Sequence, residues 1–359
     1  MSMKKLNVAV IGQGRSGRMI HGIFYNSPAN EWYNVRYVVE ADEVRRGIAA
    51  DMYPGCEVLS DYRELFGKTD IDLAVNCTYS DMHYPITKGL LEHGFNVLVE
   101  KPFARNVYEC ETLIKTARDS GLVLAVFQQT FFAPFYQHIL KTIDSGLLGE
   151  ITEVSIRYNG LSRRWDWQTL QKKMGGSAYN TGPHPFGIAL GILGFDPHTR
   201  VAYSRLCSTP LSSGDADDFV KVILDAPGKP CVDIEITSTD AYSGYNVKLQ
   251  GTKGTYKCTP TWYECKYIVD GENPDRPVIE ASLRSPDEMP VYCSEKLNIR
   301  EEKGSFTGNA FDVGTRDLYR NLYGAITAGE ELYVTPEKAE AIIRVIETIH
   351  AENPLPIQF

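Results

Sequence analysis

The chain has 359 residues, 43% hydrophobic and 23% charged, with a formal charge of -9. This is ordinary globular composition with room for roughly two domains of about 100–200 residues each. The acidic balance and the lack of a long basic run argue against nucleic acid as a partner, and no apolar run approaches the ~20 residues that cross a bilayer. The start, Met1-Ser2-Met3-Lys4-Lys5, leads into an apolar run that Gly12 cuts too short for a secretory signal. Eight cysteines are scattered without CxxC spacing, which reads as reduced thiols in a cytoplasmic protein, and no zinc motif is visible.

Residues 6–11 are rich in Val and Ile, as in a strand buried on both faces. Gly12-Gln13-Gly14-Arg15-Ser16-Gly17 follows, then a helical stretch over 18–25. In such a strand–turn–helix unit the first glycine allows the tight turn and the second lets the backbone approach a diphosphate. The third lets helix and strand pack closely, and the diphosphate sits on the helix's N-terminal amides. A second strand, 35–39, ends in Glu40, near the offset of ~20 residues at which a carboxylate meets the ribose. A carboxylate there accepts from the ribose hydroxyls and repels a 2′-phosphate, so Glu40 favours NAD over NADP. Asp42 or Glu43 is the alternative ligand, and Arg45 or Arg46 could reach a 2′-phosphate.

The pattern predicts a helix over 42–52, a strand over 57–59, a helix over 62–67 and a strand over 71–77 that ends in Thr78-Tyr79-Ser80. A helix over 82–93 is stopped by Gly94, as a C′ glycine should. The short buried strand 97–99 runs into Glu100-Lys101-Pro102, then a helix over 107–120 and a strand over 122–127. Alternation of this kind predicts a doubly wound parallel sheet, an NAD-binding Rossmann domain over 1–128. Lys101, Thr78 and Tyr79 then lie at carboxyl ends of strands, where open α/β sheets bind ligands.

The second half changes character. After a helix over 131–145, strand patterns cover 151–158, 201–208, 218–224, 231–239, 246–250 and 254–259, joined by turns such as Gly251-Thr252-Lys253-Gly254. Helices are predicted over 177–193 and 336–351, with an amphipathic segment over 310–329. The fold class is therefore α/β: the Rossmann sheet plus a C-terminal α/β domain, 129–359, with a large, mostly antiparallel open sheet and helices on one face. The boundary rests on the change of pattern alone. Arg163-Arg164-Trp165-Asp166-Trp167 is a candidate substrate wall, since aromatics stack on sugar faces and arginines bond hydroxyls or carboxylates. A plain interface loop is the alternative reading, and Gln129 and Tyr158 are further substrate candidates.

Gly12-x-Gly14-x-x-Gly17, Glu100-Lys101-Pro102 and Gly175-Gly176-Ser177-Ala178-Tyr179-Asn180-Thr181-Gly182-Pro183-His184 together resemble the Gfo/Idh/MocA oxidoreductases, the glucose–fructose oxidoreductase and inositol dehydrogenase group. The resemblance spans essentially the whole chain. It implies an NAD-holding Rossmann domain, a substrate-binding and oligomerisation domain, and a homo-dimer or homo-tetramer built on the open sheet. Lys101 and His184 match the family pattern. Asn180 and Gly187 stand where two aspartates usually stand, and Asn180 can bind a hydroxyl but carry no charge. The resemblance also favours His83, beside Tyr79, as a contact to the nicotinamide ribose, and places Glu100 with Lys101 at the cofactor.

Oxidising a secondary alcohol needs a hydride acceptor and a base. The cofactor supplies the first and the protein the second. His184 is the expected general base, its ordinary pKa of ~6.5 lying near working pH. Lys101 is expected to hold the same hydroxyl and stabilise the developing alkoxide, although a desolvated lysine could itself be the base. The expected function is NAD-dependent oxidation of a ring secondary hydroxyl of a sugar, glycoside (C3 being the narrower version) or cyclitol. Its rivals are glycoside cleavage through transient oxidation on retained NAD, and a non-catalytic dinucleotide sensor.

Overall fold

The computed structural model describes residues 4–359; Met1-Ser2-Met3, the head of the basic start, lies outside it. Six strands form a parallel sheet: β1 (Leu6–Ile11), β2 (Tyr33–Val39), β3 (Glu57–Leu59), β4 (Leu73–Asn76), β5 (Val97–Val99) and β6 (Leu124–Val126), in the order β3-β2-β1-β4-β5-β6. Val8, Ala9, Val10, Leu73, Ala74 and Val75 are buried irrespective of the face they point to, as a sheet covered on both sides requires. The strand order reverses between β1 and β4, so a crevice opens above their carboxyl ends.

Two of the helices around this sheet, Glu43–Met52 and Val107–Asp119, start on side-chain caps. Asp42 accepts from the Arg45 amide, and Asn106 from the Glu109 amide. The stretch after the glycine turn is a π-turn, Gly17–His21, leading into a short α-helix, Gly22–Tyr25. Such wide turns recur at functional sites, and here His21 is fully buried.

The second sheet has eight strands: β7 (Ile151–Asn159), β8 (Arg200–Cys207), β9 (Phe219–Asp225), β10 (Cys231–Thr237), β11 (Val247–Gly251), β12 (Gly254–Cys258), β13 (Trp262–Tyr267) and β14 (Arg300–Ser305). Their order is β14-β13-β12-β11-β7-β10-β9-β8. All pairs are antiparallel except β7 with β10. Alternation sets the faces. Val220, Val222, Leu224, Val232, Ile234 and Ile236 are buried in one core with residues of the helices Pro183–Ile192 and Pro336–Glu352. The opposite face carries Lys221, Asp233 and Arg157, with Lys221 2.6 Å and Arg157 2.5 Å from the Asp233 carboxylate.

Two expectations need correcting. Strands β13 and β14 were not foreseen: β14, Arg-Glu-Glu-Lys-Gly-Ser, carries no apolar alternation, and 268–299 between the two is an exposed stretch without regular structure. The single helix expected over 177–193 is two, Ser177–Asn180 and Pro183–Ile192. A β-carbon on Gly182 would lie 2.1 Å from the Ala178 carbonyl, so the backbone passes too close there for a side chain. Pro183 has no N–H to continue the first helix but suits the first position of a new one.

The two halves share their packing. Helix Thr315–Ala328 returns to the first sheet, where Leu318, Tyr319 and Leu322 complete the core of Leu6, Val8, Val10 and Tyr33. Helix Pro336–Glu352 touches both halves, with Glu347 accepting from the Val107 amide at 3.0 Å. Among the described residues no helix is long and apolar enough to cross a membrane, and all eight cysteines are free thiols.

Candidate active site

A cleft of about 920 Å3 lies above the carboxyl ends of the first sheet and runs to the second half of the chain. At one end is the glycine turn. Gly12 has φ +92°, and a β-carbon there would lie 2.8 Å from the Cys77 carbonyl at the end of β4. A β-carbon on Gly17 would lie 2.0 Å from the Gly12 carbonyl. At Gly14 nothing stands within 4 Å of that position, so its face is open, and Gly14, Arg15 and Ser16 line the cleft. Gln13 is buried behind the turn.

Glu40 closes this end. Its Oε2 accepts from the Gln13 amide at 2.7 Å and its Oε1 from the Asp42 amide at 3.0 Å. A carboxylate has about four acceptor positions, so two remain toward the cleft. Asp42 is occupied as a helix cap, Glu43 is exposed, and Arg46 is bonded to the carbonyls of Glu40 and Ala41. Of the two arginines, only Arg45 lines the cleft.

Thr78 and Tyr79 line the middle. Asn76, buried at the end of β4, holds their turn: its Oδ1 accepts from the Thr78 hydroxyl at 2.7 Å and its amide donates to the His83 carbonyl at 3.2 Å. His83 itself does not line the cleft. It is buried, with Nδ1 2.7 Å from the Pro102 carbonyl and Nε2 3.3 Å from the Thr78 carbonyl. Burial lowers its pKa, so the ring is neutral and ties the β4 turn to the Lys101-Pro102 turn.

Glu100 is buried. Its Oε2 accepts from the Lys101 amide at 3.0 Å, and its Oε1 lies 3.1 Å from His21 Nε2. His21 Nδ1 lies 2.7 Å from the Tyr319 hydroxyl, which also receives a hydrogen bond from Tyr25. Burial pushes the Glu100 carboxyl up, but the bond to His21 and the nearby cations outweigh it and keep the group ionised. Lys101 follows, joined to Pro102 by a cis peptide. Its Nζ donates to the main-chain carbonyl of Asn180 at 2.7 Å. Burial lowers the Lys101 pKa, the charge of Glu100 opposes this, and the cations of Arg15 and Arg164 add to it.

The second half supplies the facing wall. His184 sits at the start of helix Pro183–Ile192, its Nδ1 2.7 Å from the Thr130 hydroxyl. Its Nε2 has no partner among the described residues and is the atom left for a ligand. Burial, and then the Lys101 cation, push its pKa down to about 3, so the imidazole is neutral at ordinary pH. Asn180 contributes to Lys101 through its backbone, while its side-chain oxygen takes the Gln168 amide at 2.8 Å. The Gly187 position is packed away from the cleft, a β-carbon there lying 3.0 Å from the Phe131 ring. Gln129 is 2% exposed on the cleft wall, and its Oε1 has no partner.

Arg163, Arg164 and Tyr158 line a second cavity of about 430 Å3 that shares Arg15, Arg164, Gln168, Asn180 and Thr181 with the cleft. Trp165 lines neither space and is 77% exposed. Its neighbour Trp167 lines the cleft instead, its ring 4.9 Å from that of Tyr79. Thr130, His21, Asn76 and Gln168 were not singled out from sequence. Each acts by holding another group, and no motif marks such a role.

This arrangement is that of a dinucleotide-binding Rossmann sheet facing a second α/β domain, and the comparisons agree. The family model described as "Oxidoreductase family, NAD-binding Rossmann fold" matches residues 6–128, and the GFO/IDH/MocA C-terminal domain matches 136–257. The chain belongs to the Gfo/Idh/MocA oxidoreductase family. It is 26% identical to the uncharacterized oxidoreductase YhhX of Escherichia coli (strain K12), covering 95% of both chains. It is 23% identical to the scyllo-inositol 2-dehydrogenase (NADP(+)) IolW of Bacillus subtilis (strain 168), covering 95% of this chain and 92% of that one. GenD2 from gentamicin A biosynthesis, solved in complex with NAD, shares the fold, with a TM-score of 0.76 at 21% identity over 98% of this chain and 95% of that one.

Proposed function

We propose that this protein is an NAD-dependent oxidoreductase acting on a ring secondary hydroxyl of a sugar, glycoside or cyclitol, with the substrate held by the chain from residue 129 onward. The observation that carries the reading is the convergence of Lys101 Nζ and the unpartnered Nε2 of His184 on one cleft whose other end is the glycine turn. The residues fit the cofactor. Gly14 leaves its backbone open for a diphosphate beside Arg15 and Ser16, Glu40 offers free acceptor positions for ribose hydroxyls, and Thr78, Tyr79 and Glu100 border the way to Lys101. Gln129 Oε1 is a buried acceptor awaiting a donor. Bound there, the nicotinamide supplies the hydride chemistry.

The chain's own residues handle the proton. The Lys101 ammonium points one donor at Asn180 and keeps others for the substrate oxygen, stabilising negative charge as it develops. His184 Nε2 takes the hydroxyl proton, while Nδ1 stays bonded to Thr130, which holds the ring. An imidazole at about pKa 3 is a weak acceptor. The developing alkoxide offsets the Lys101 charge that depresses it, so its proton affinity rises as the reaction proceeds.

Two measurements check this reading. Protein with NAD is assayed for reduced nicotinamide across a panel of sugars, glycosides and cyclitols. Reduction by at least one class is expected, whereas normal NAD binding with no reduction throughout would leave the sensor reading. Glu40→Gln keeps an acceptor but removes the charge. A hydrogen bond to a charged group is worth about 1.5–3 kcal/mol, so KM for NAD should rise about tenfold or more while KM for NADP falls. An unchanged NAD:NADP ratio would move the discrimination to another residue.

A further inference from the structure

We infer that the second cavity receives an anionic group of the substrate, a carboxylate or phosphate, with Arg163 as its counter-charge. This rests on the reading of the neighbouring cleft as a carbohydrate oxidoreductase site. The cavity, about 430 Å3, adjoins the cleft, the two sharing Gln168, Asn180 and Thr181 in their walls. In this inference a substrate with its reacting ring at Lys101 and His184 extends its other end past those shared residues into it.

The charges around the cavity decide what that end should be. Arg164 is already engaged: its Nε lies 2.9 Å from Asp166, and it also bonds the Gln168 side-chain oxygen. Of the two acids on the wall, Asp218 is engaged through both oxygens and Asp217 through one. Asp218 uses one oxygen on the Thr209 amide at 2.8 Å and the other on the Thr209 hydroxyl at 2.7 Å. Asp217 is buried, with Oδ2 accepting from the Ala178 amide at 2.7 Å and Oδ1 lying 3.5 Å from His350 Nε2. Arg163 has neither a carboxylate nor a hydrogen-bond partner among the described residues, and the same holds for the hydroxyls of Ser162, Ser212 and Ser238 beside it.

Asn159 Oδ1 and Asp217 Oδ1 on the wall are buried acceptors without hydrogen-bond partners among the described residues, so what sets the cavity apart is charge: Arg163 is a cation with no counter-ion among those residues. A neutral sugar, which both donates and accepts, would hydrogen-bond the serines and the guanidinium but leave the arginine's charge uncompensated. A carboxylate or phosphate only accepts, and it matches the planar fork of an arginine. The position of Arg163 is also prepared. The amides on either side are pinned, Ser162 to the Ser238 carbonyl and Arg164 to the Leu211 carbonyl, each at 3.1 Å. The backbone of Arg163 is therefore held at the wall while its side chain stays uncommitted.

The test is calorimetric titration of the NAD-loaded protein at low salt with glucose, glucuronate and glucose 6-phosphate, repeated with Arg163→Ala and Arg163→Lys. Arg163 is exposed, so both variants should fold, and unchanged thermal unfolding would verify it. One of the two anions should bind about tenfold or more tightly than glucose. That preference should vanish in Arg163→Ala, persist in part in Arg163→Lys, and weaken with added salt. The tighter of the two anions identifies the group. Equal binding of all three sugars, no binding by any, or a preference untouched in Arg163→Ala would each overturn the inference. Anion binding through Arg163 in a protein that reduces no nicotinamide would instead sink the proposed reaction and leave this site standing.

Discussion

Replacing Lys101 by methionine is expected to lower kcat by about 10²–10⁴-fold with NAD affinity nearly unchanged, the range ascribed to a positioned proton-transfer or oxyanion-stabilising group. Methionine keeps much of the side-chain volume, so the walls of the cleft should not collapse. What disappears is the ammonium that donates to the Asn180 carbonyl and, in this reading, to the substrate oxygen. Because that second bond strengthens as the oxygen becomes an alkoxide, the loss should fall on kcat more than on KM. Steady-state kinetics combined with a fluorescence titration of NADH would separate the two. A parallel loss of cofactor binding would make Lys101 a cofactor ligand rather than a catalytic group.

His184→Ala should cost about 10²–10⁴-fold in kcat as well, and the pH profile of the wild type carries the sharper signature. With the folded-state pKa at about 3, kcat/KM should show no inflection near 6.5, and its acid limb should lie far lower. Lys101→Met removes one of the causes of that depression, so the residual activity of that variant should lose its acid tolerance at a higher pH. The same shift affects stability. The unfolded chain, with His184 near 6.5, binds more protons than the folded one between about 3 and that value. This contribution to stability is therefore present above the unfolded pKa and is lost as pH falls through the window. An inflection near 6.5 that persists in Lys101→Met but vanishes in His184→Ala would show an imidazole in ordinary solvent, against this geometry.

Much of the fold was legible because its physics is local. Val-rich runs, a glycine turn and helix-stopping glycines placed all six strands of the parallel sheet. Charge-rich β14 was invisible because its order comes from pairing with β13, and β13, aromatic in alternation, was passed over although it pairs with β12. The break at Gly182 was missed because it depends on a backbone approach that periodicity does not record. In the site, Lys101, Glu40 and Arg163 stood out by residue type and position, and His184 through the family resemblance of the stretch around it. His83 and Trp165 stood out too, yet the structure buries one behind the β4 turn and leaves the other in solvent. Thr130 could not be found, since it acts through His184, 54 residues on, and Asn76 carries no motif for its bonds to Thr78 and His83.

The return of helix Thr315–Ala328 to the first sheet has a bearing on the order in which the protein is made. The glycine turn and Glu40 leave the ribosome well before Leu318, Tyr319 and Leu322, which cover Leu6, Val8 and Tyr33. At about 5–20 residues per second, the interval is on the order of tens of seconds. Throughout it the nascent sheet keeps an uncovered apolar face, and His21, already beside Glu100, lacks the Tyr319 hydroxyl. The dinucleotide-binding half is thus completed only by a segment made long after it, and a growing chain has a long interval in which that face is open to chaperones.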